Sequence, residues 1–148
     1  MHGAQVREHD ELLMPAGHGR TAFVDARDVA AVAATALLDP GAHTGRAWTP
    51  TGPEALTYTE VAAQLSEVVG RPVTYRARGL LHYVRQARAW GMPPIMVAVT
   101  SGIYTTARLG LAAGLTDDVR TVTGRAPTGV RPVLERDRVA FEPSRETT

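Results

Sequence analysis

The 148 residues include no cysteine, no lysine and no asparagine. Without cysteine there can be no disulfide, thiolate nucleophile or thiolate metal site, which fits a reducing compartment. Without lysine there is no Schiff base, no P-loop lysine and no Tyr-x-x-x-Lys pair. Only three serines occur, Ser66, Ser101 and Ser144, and none lies in a G-x-S-x-G turn. The histidines, at 2, 9, 18, 43 and 82, never stand four apart and form no H-E-x-x-H, so no metal site is expected. No G-x-G-x-x-G or G-x-x-G-x-x-G loop is present. The nearest stretch, Gly124 to Gly129, has its glycines too far apart, and Pro127 removes an amide that a phosphate needs.

Long hydrophobic runs are also missing. The apolar region from Met92 to Leu115 is broken by Pro93, Pro94, Arg108, hydroxyls and glycines below the roughly 20 residues of a membrane span. The first eleven residues are polar and charged and read as no secretory signal. Composition is that of one ordinary globular domain, 44% hydrophobic and 21% charged, and a cytoplasmic location is expected.

All sixteen basic residues are arginine, and their distribution is uneven. Residues 1–67 hold four arginines and nine acids, residues 68–116 hold six arginines and no acid, and residues 117–148 hold six of each. The acid-free block either solvates its surface and faces the acidic segment, or receives an anion or acidic partner.

The chain is organised around FVDARDVAAVAATALL, residues 23–38. Thr21–Val24 has the composition of a short buried strand, and a helix follows at once. Asp25 is placed to cap it, Asp28 lies in its electropositive first turn, and Val24 with Val29 forms a staple. Val29, Val32, Ala33, Ala36 and Leu37 recur at helical spacing. A segment from 1 to 20 is expected to be irregular, and a second strand is expected near Arg46–Thr51. Thr57 and Glu60 form a capping box for a helix that Gly70 ends, and Val73–Arg76 is a third strand. Helices are predicted over 80–90, with Leu80, Tyr83, Val84, Ala87 and Trp90 inward, and over 95–110, with Ile95, Val99, Ile103 and Ala107 on one line. Thr116–Asp118 caps a short helix, another follows Thr128, and 142–148 is predicted to be a disordered tail.

Tyr83, Trp90, Met92 and Tyr104 group near the junction of two helices. They either wall a pocket for a flat apolar ligand or are plain core. Tyr104 and Arg108, one turn apart, either rim that pocket or face solvent. The spacing of Asp25 and Asp28 favours capping over acid–base work, and no catalytic residue is assigned.

The motifs FVDARDVA, TGPEALTYTEVA, GRPVTYR and TGRAP, in that order, resemble the NmrA-like group of atypical short-chain dehydrogenase/reductases over about Leu12 to Phe141. The resemblance implies an α/β fold: the C-terminal part of an NAD(P)-binding Rossmann-type protein, mostly helical with a few short strands, its N-terminal dinucleotide-binding half missing. Thr21–Val24 and Arg46–Thr51 would be late Rossmann strands, residues 21–76 residual Rossmann elements, and residues 77–141 a helical substrate lobe. By the same resemblance the function is that of a truncated, quinone-reductase-like oxidoreductase, inactive alone, with Tyr83, Trp90, Met92 and Tyr104 toward a quinone-like substrate. The cofactor is NADP or NAD, not held tightly by this chain alone, and its binding residues are unassigned. A complementary Rossmann half or a second copy is an expected partner; nucleic acid and membrane are not. The alternative is a non-enzymatic redox sensor acting through protein–protein contacts.

Overall fold

The computed structural model describes residues 2–142, with side chains from Val6 onward, and alternates short strands with helices. Helix α1 (His2–His9) precedes strands β1 (Glu11–Leu13) and β2 (Arg20–Thr21), then α2 (Ala26–Leu38) and the single turn α3 (Pro40–His43). Strand β3 (Leu56–Thr57) runs directly into α4 (Tyr58–Val69), followed by β4 (Thr74–Arg76), α5 (Leu80–Ala89), α6 (Pro94–Arg108), α7 (Asp118–Thr123) and α8 (Val130–Arg136). A 3₁₀ turn, Arg138–Phe141, closes the described chain. The strands form two pairs: β1 lies parallel to β4, with Leu12 opposite Tyr75, and β2 lies antiparallel to β3, with Thr21 opposite Leu56.

Helix starts follow local chemistry. Asp25 accepts the Arg27 amide at the head of α2. At the head of α4, Thr57 Oγ1 accepts the Glu60 amide at 3.1 Å while Glu60 Oε2 accepts the Thr57 amide at 2.7 Å, a reciprocal capping box. Gly70 ends α4 in the left-handed region, φ 74°, where a side chain would be strained. Asp117, by contrast, caps α7 without a side-chain bond.

Side chains from distant parts of the chain share one core. Val6, Leu12 and Ala16 meet Tyr58, Leu65, Tyr83, Val97, Tyr104 and Leu134 there. Leu65 is among the largest of the fully buried side chains, and burial of a leucine is worth about 1.5–3 kcal/mol.

Four expectations need correction. Within the segment expected to be irregular, residues 2–13 are regular: α1 is helical and β1 follows it, Val6 is fully buried, and Arg71 Nη2 donates to the Val6 carbonyl at 3.1 Å. A lone valine carries no periodicity, so the helix is secured by distant groups rather than by its own pattern. Thr21–Val24 pairs only through Arg20–Thr21; the Ala22 amide turns instead to the Ala112 carbonyl at 2.8 Å. Arg46–Thr51 forms no strand. Its groups are held by side chains, with the Thr49 amide on Asp118 Oδ2 at 2.6 Å and the Thr116 hydroxyl on the Thr49 carbonyl at 2.5 Å.

The fourth correction concerns the apolar faces. On α6 the buried residues are Val97, Tyr104 and Ala107, whereas Ile95, Val99 and Ile103 point outward. On α2 only Asp28 and Val32 are buried, and Leu37 and Leu38 are 81% and 86% exposed. On α5, Leu80 and Trp90 are likewise exposed while Tyr83 and Ala87 are inside. Apart from Glu142, the expected tail lies outside the described residues. Among the described residues no helix is long and apolar enough to cross a membrane.

Candidate functional site

A column of aromatic rings runs through the core. Phe23 meets Tyr58 edge-on at 5.2 Å, Tyr58 stacks on Tyr75 at 5.6 Å and meets Tyr104 at 6.4 Å, and Tyr104 meets Tyr83 edge-on at 5.2 Å. These are favoured ring geometries. Tyr83 donates to Thr100 Oγ1 at 2.7 Å, and Tyr75 donates to the Met14 carbonyl at 3.0 Å. Burial pushes the phenols of Tyr58, Tyr75 and Tyr104 up. Tyr104 is raised furthest, with Tyr83, Tyr58 and Tyr75 adding to the effect. At neutral pH these phenols therefore keep their protons, and they supply shape and hydrogen bonds rather than a base.

Of the four residues expected to wall a pocket, the structure gathers three in one cluster. Tyr83 and Tyr104 are in contact and buried, and Met92 packs partly buried against the same cluster. Trp90 stands apart as the C-cap of α5, 43% exposed. Sequence spacing missed Tyr58 and Tyr75. The usable signals were the position of Tyr58 immediately after the Thr57 cap and the central place of Tyr75 in its strand.

Beside the column, the loop before β2 faces the end of α6. Gly17, His18, Gly19 and Arg20 line an open cavity of about 560 Å³ with Arg108, Leu109, Gly110 and Ala113. Gly19 is required there, because a Cβ would fall 1.8 Å from the Ala107 carbonyl oxygen. The Arg108 stem lies against Gly17, at 3.3 Å from the site a Cβ would take. Arg20 also contributes, but it is engaged by Glu60 at 2.8 Å and by the Ala55 carbonyl. Tyr104 is inside and Arg108 outside, so the two do not form one rim.

A second recess, about 200 Å³ and largely apolar, lies between Phe23, Val24, Val61, Thr128, Val130 and Leu134. The two carboxylates of α2 fasten its edge. Asp28 Oδ2 accepts the Thr128 amide at 2.6 Å, and Asp25 takes the Arg136 guanidinium through both oxygens. The Arg136 hydrogen bond, followed by that of the Arg27 amide, holds the Asp25 carboxyl below the usual carboxylate range. Both acids are thus committed to structure, which accounts for them without acid–base catalysis.

A dinucleotide pyrophosphate needs a glycine-rich turn and an open helix N-terminus presenting free amides. Of the helices that follow strand segments here, α5 starts at Gly79 without a side-chain cap bond, whereas α2 and α4 have those amides occupied by Asp25 and by Thr57 with Glu60. A carboxylate already sits at each, so a phosphate would meet like charge. The starts of α2 and α4 are therefore closed to a pyrophosphate. No three His, Asp or Glu side chains among the described residues converge as a metal site.

No family model matches the chain. It is 42% identical over 125 residues to an NAD(P)H azoreductase of Xenophilus azovorans, covering 84% of this chain and 43% of the relative. In fold it is similar to the crystal structure of an NADPH-dependent quinone oxidoreductase from Escherichia coli, with TM-score 0.82 and 24% identity over 95% of this chain and 50% of that one. A triphenylmethane reductase of Citrobacter sp. complexed with NADP(H) gives TM-score 0.78 and 24% identity, covering 90% and 46%. The chain thus spans about half the length of the relatives it matches. These similarities relate the chain to the NmrA-like group of atypical short-chain dehydrogenase/reductases, a group of NAD(P)-binding, Rossmann-type proteins of which it matches about half the length.

Proposed function

We propose that this chain forms the substrate-pocket half of an NAD(P)H-dependent oxidoreductase of the quinone-reductase type and is inactive by itself. One observation carries the reading. Arg46–Thr51 has the composition of a strand, but it is tied to Thr116 and Asp118 with no ladder partner among the described residues. A strand supplied by a complementary Rossmann half would complete it and cover the nearby apolar face of α2. The carboxylate-occupied helix starts support the same reading, since NADP or NAD would then be held by that other half. The names of the relatives, an azoreductase and a quinone oxidoreductase, favour a flat, reducible substrate.

In this reading residues 21–76 are the remaining Rossmann elements and residues 77–141 the substrate lobe. Tyr83, Met92 and Tyr104 shape the lobe's interior, and the cavity between Gly17–Arg20 and Arg108–Ala113 is its opening. The test is NADPH oxidation with a small quinone. The 148-residue chain alone is expected to match a buffer blank, and co-expression with the glycine-rich half of a full-length relative is expected to restore turnover. Turnover by the chain alone would overturn the proposal.

A further inference from the structure

The helical hairpin of α5 and α6 combines two features that seldom coincide on a surface left to water. From residue 68 to residue 116 the sequence has six arginines and no acid. Arg71 and Arg76 are paired with Asp10 and Glu11, so they are spent within the fold. Arg78, Arg85 and Arg88 are exposed and make no ion pair among the described residues. The same hairpin exposes aliphatic side chains: Leu81 at 74% on α5, and Ile95 at 70% with Val99 and Ile103 in line on α6. Trp90 stands half-exposed at the corner between the helices.

We propose that this hairpin docks on an anionic lipid surface, its aliphatic residues and Trp90 entering the headgroup boundary while the arginines meet lipid phosphates. Exposed arginines without an ion-pair partner attract anionic headgroups, and each contributes separately near such a surface. Exposed aliphatics beside them add apolar burial, and tryptophan is enriched at the boundary between headgroups and chains. A second copy of the same face is disfavoured, because two uncompensated basic surfaces would meet. The proposal holds together with the reductase reading if the hairpin stays outside the surface that a complementary half covers. It concerns surface contact, which the length of hydrophobic runs does not test.

Co-sedimentation of the full chain with vesicles tests it. Binding to phosphatidylcholine–phosphatidylglycerol vesicles is expected to exceed binding to pure phosphatidylcholine at least tenfold at low salt. It should fall steeply at about 0.5 M salt, where screening reaches only a few Å. The triple variant R78Q/R85Q/R88Q, all surface positions whose fold is checked by circular dichroism, is expected to lose at least tenfold. In a W48F background the remaining Trp90 should shift its emission to the blue on anionic vesicles and not on neutral ones; this readout does not depend on the arginine variants folding. Equal binding to both vesicle types, or none, would overturn the proposal. Retention by immobilised polyglutamate without vesicle binding would assign the surface to an acidic polypeptide instead.

Discussion

Arg136 closes on Asp25 across 111 residues, with Nη1 at 2.5 Å from Oδ2 and Nη2 at 3.3 Å from Oδ1. The Asp25 side chain is 3% exposed, and the same carboxylate caps α2 through the Arg27 amide. One side chain therefore starts the central helix and anchors the last one.

These two roles separate by substitution. Asn caps a helix about as well as Asp but carries no charge, so Asp25→Asn should lose only the ion pair. Asp25→Ala should lose the cap as well, costing about 1 kcal/mol more. Urea unfolding of both variants checks the difference; equal losses would mean that the cap contributes nothing.

Acid should loosen the same joint. The folded-state pKa of Asp25 lies below its ordinary 3.8, so in that window the folded protein binds fewer protons than the unfolded chain. The contribution is fully present above the ordinary value and is lost as pH falls through the folded one. Asp137 and Glu60 are shifted in the same direction by their arginine and amide partners. Thermal unfolding followed from pH 6 downward should show a decline below about pH 4, shallower in Asp25→Asn.

Two glycines should respond with opposite signs. Gly19→Ala would drive a Cβ to 1.8 Å from the Ala107 carbonyl and force the cavity loop off α6, at a cost of about 3 kcal/mol or more. Gly102, exposed within α6 with nothing in reach of a Cβ, should gain up to about 1 kcal/mol as alanine. Melting temperatures of the two variants decide the matter.

Tyr83 is predicted to act as core. Tyr83→Phe removes the 2.7 Å hydrogen bond to Thr100 while keeping the ring against Tyr104, so about 1 kcal/mol of stability should go. A variant of unchanged stability would place the hydroxyl outside the account.

What the sequence revealed follows the range of the interactions. Asp25, Thr57 with Glu60, and Gly70 act within one helical turn, and their capping roles were readable from spacing alone. The family motifs were readable for the same reason, because they record order along the chain. The buried side of α6 was not: apolar residues lie around much of that helix, and Tyr83 from α5 selects Thr100 and Tyr104 over Ile95 and Ile103. Arg46–Thr51 has strand composition, but a strand exists only when a ladder partner is present. The structural use of α1 depends on Arg71 and the core around Val6, neither of which its own eight residues disclose. The cavity loop was visible only as a turn, since its opposite wall comes from residues about 90 positions later.

On the proposed function, this chain supplies walls of a reductase cleft and leaves the dinucleotide to a complementary half. Calorimetric titration of NADPH into the purified 148-residue chain tests it most directly. The account predicts no heat attributable to binding tighter than about 1 mM. A saturable site with a micromolar Kd would contradict it.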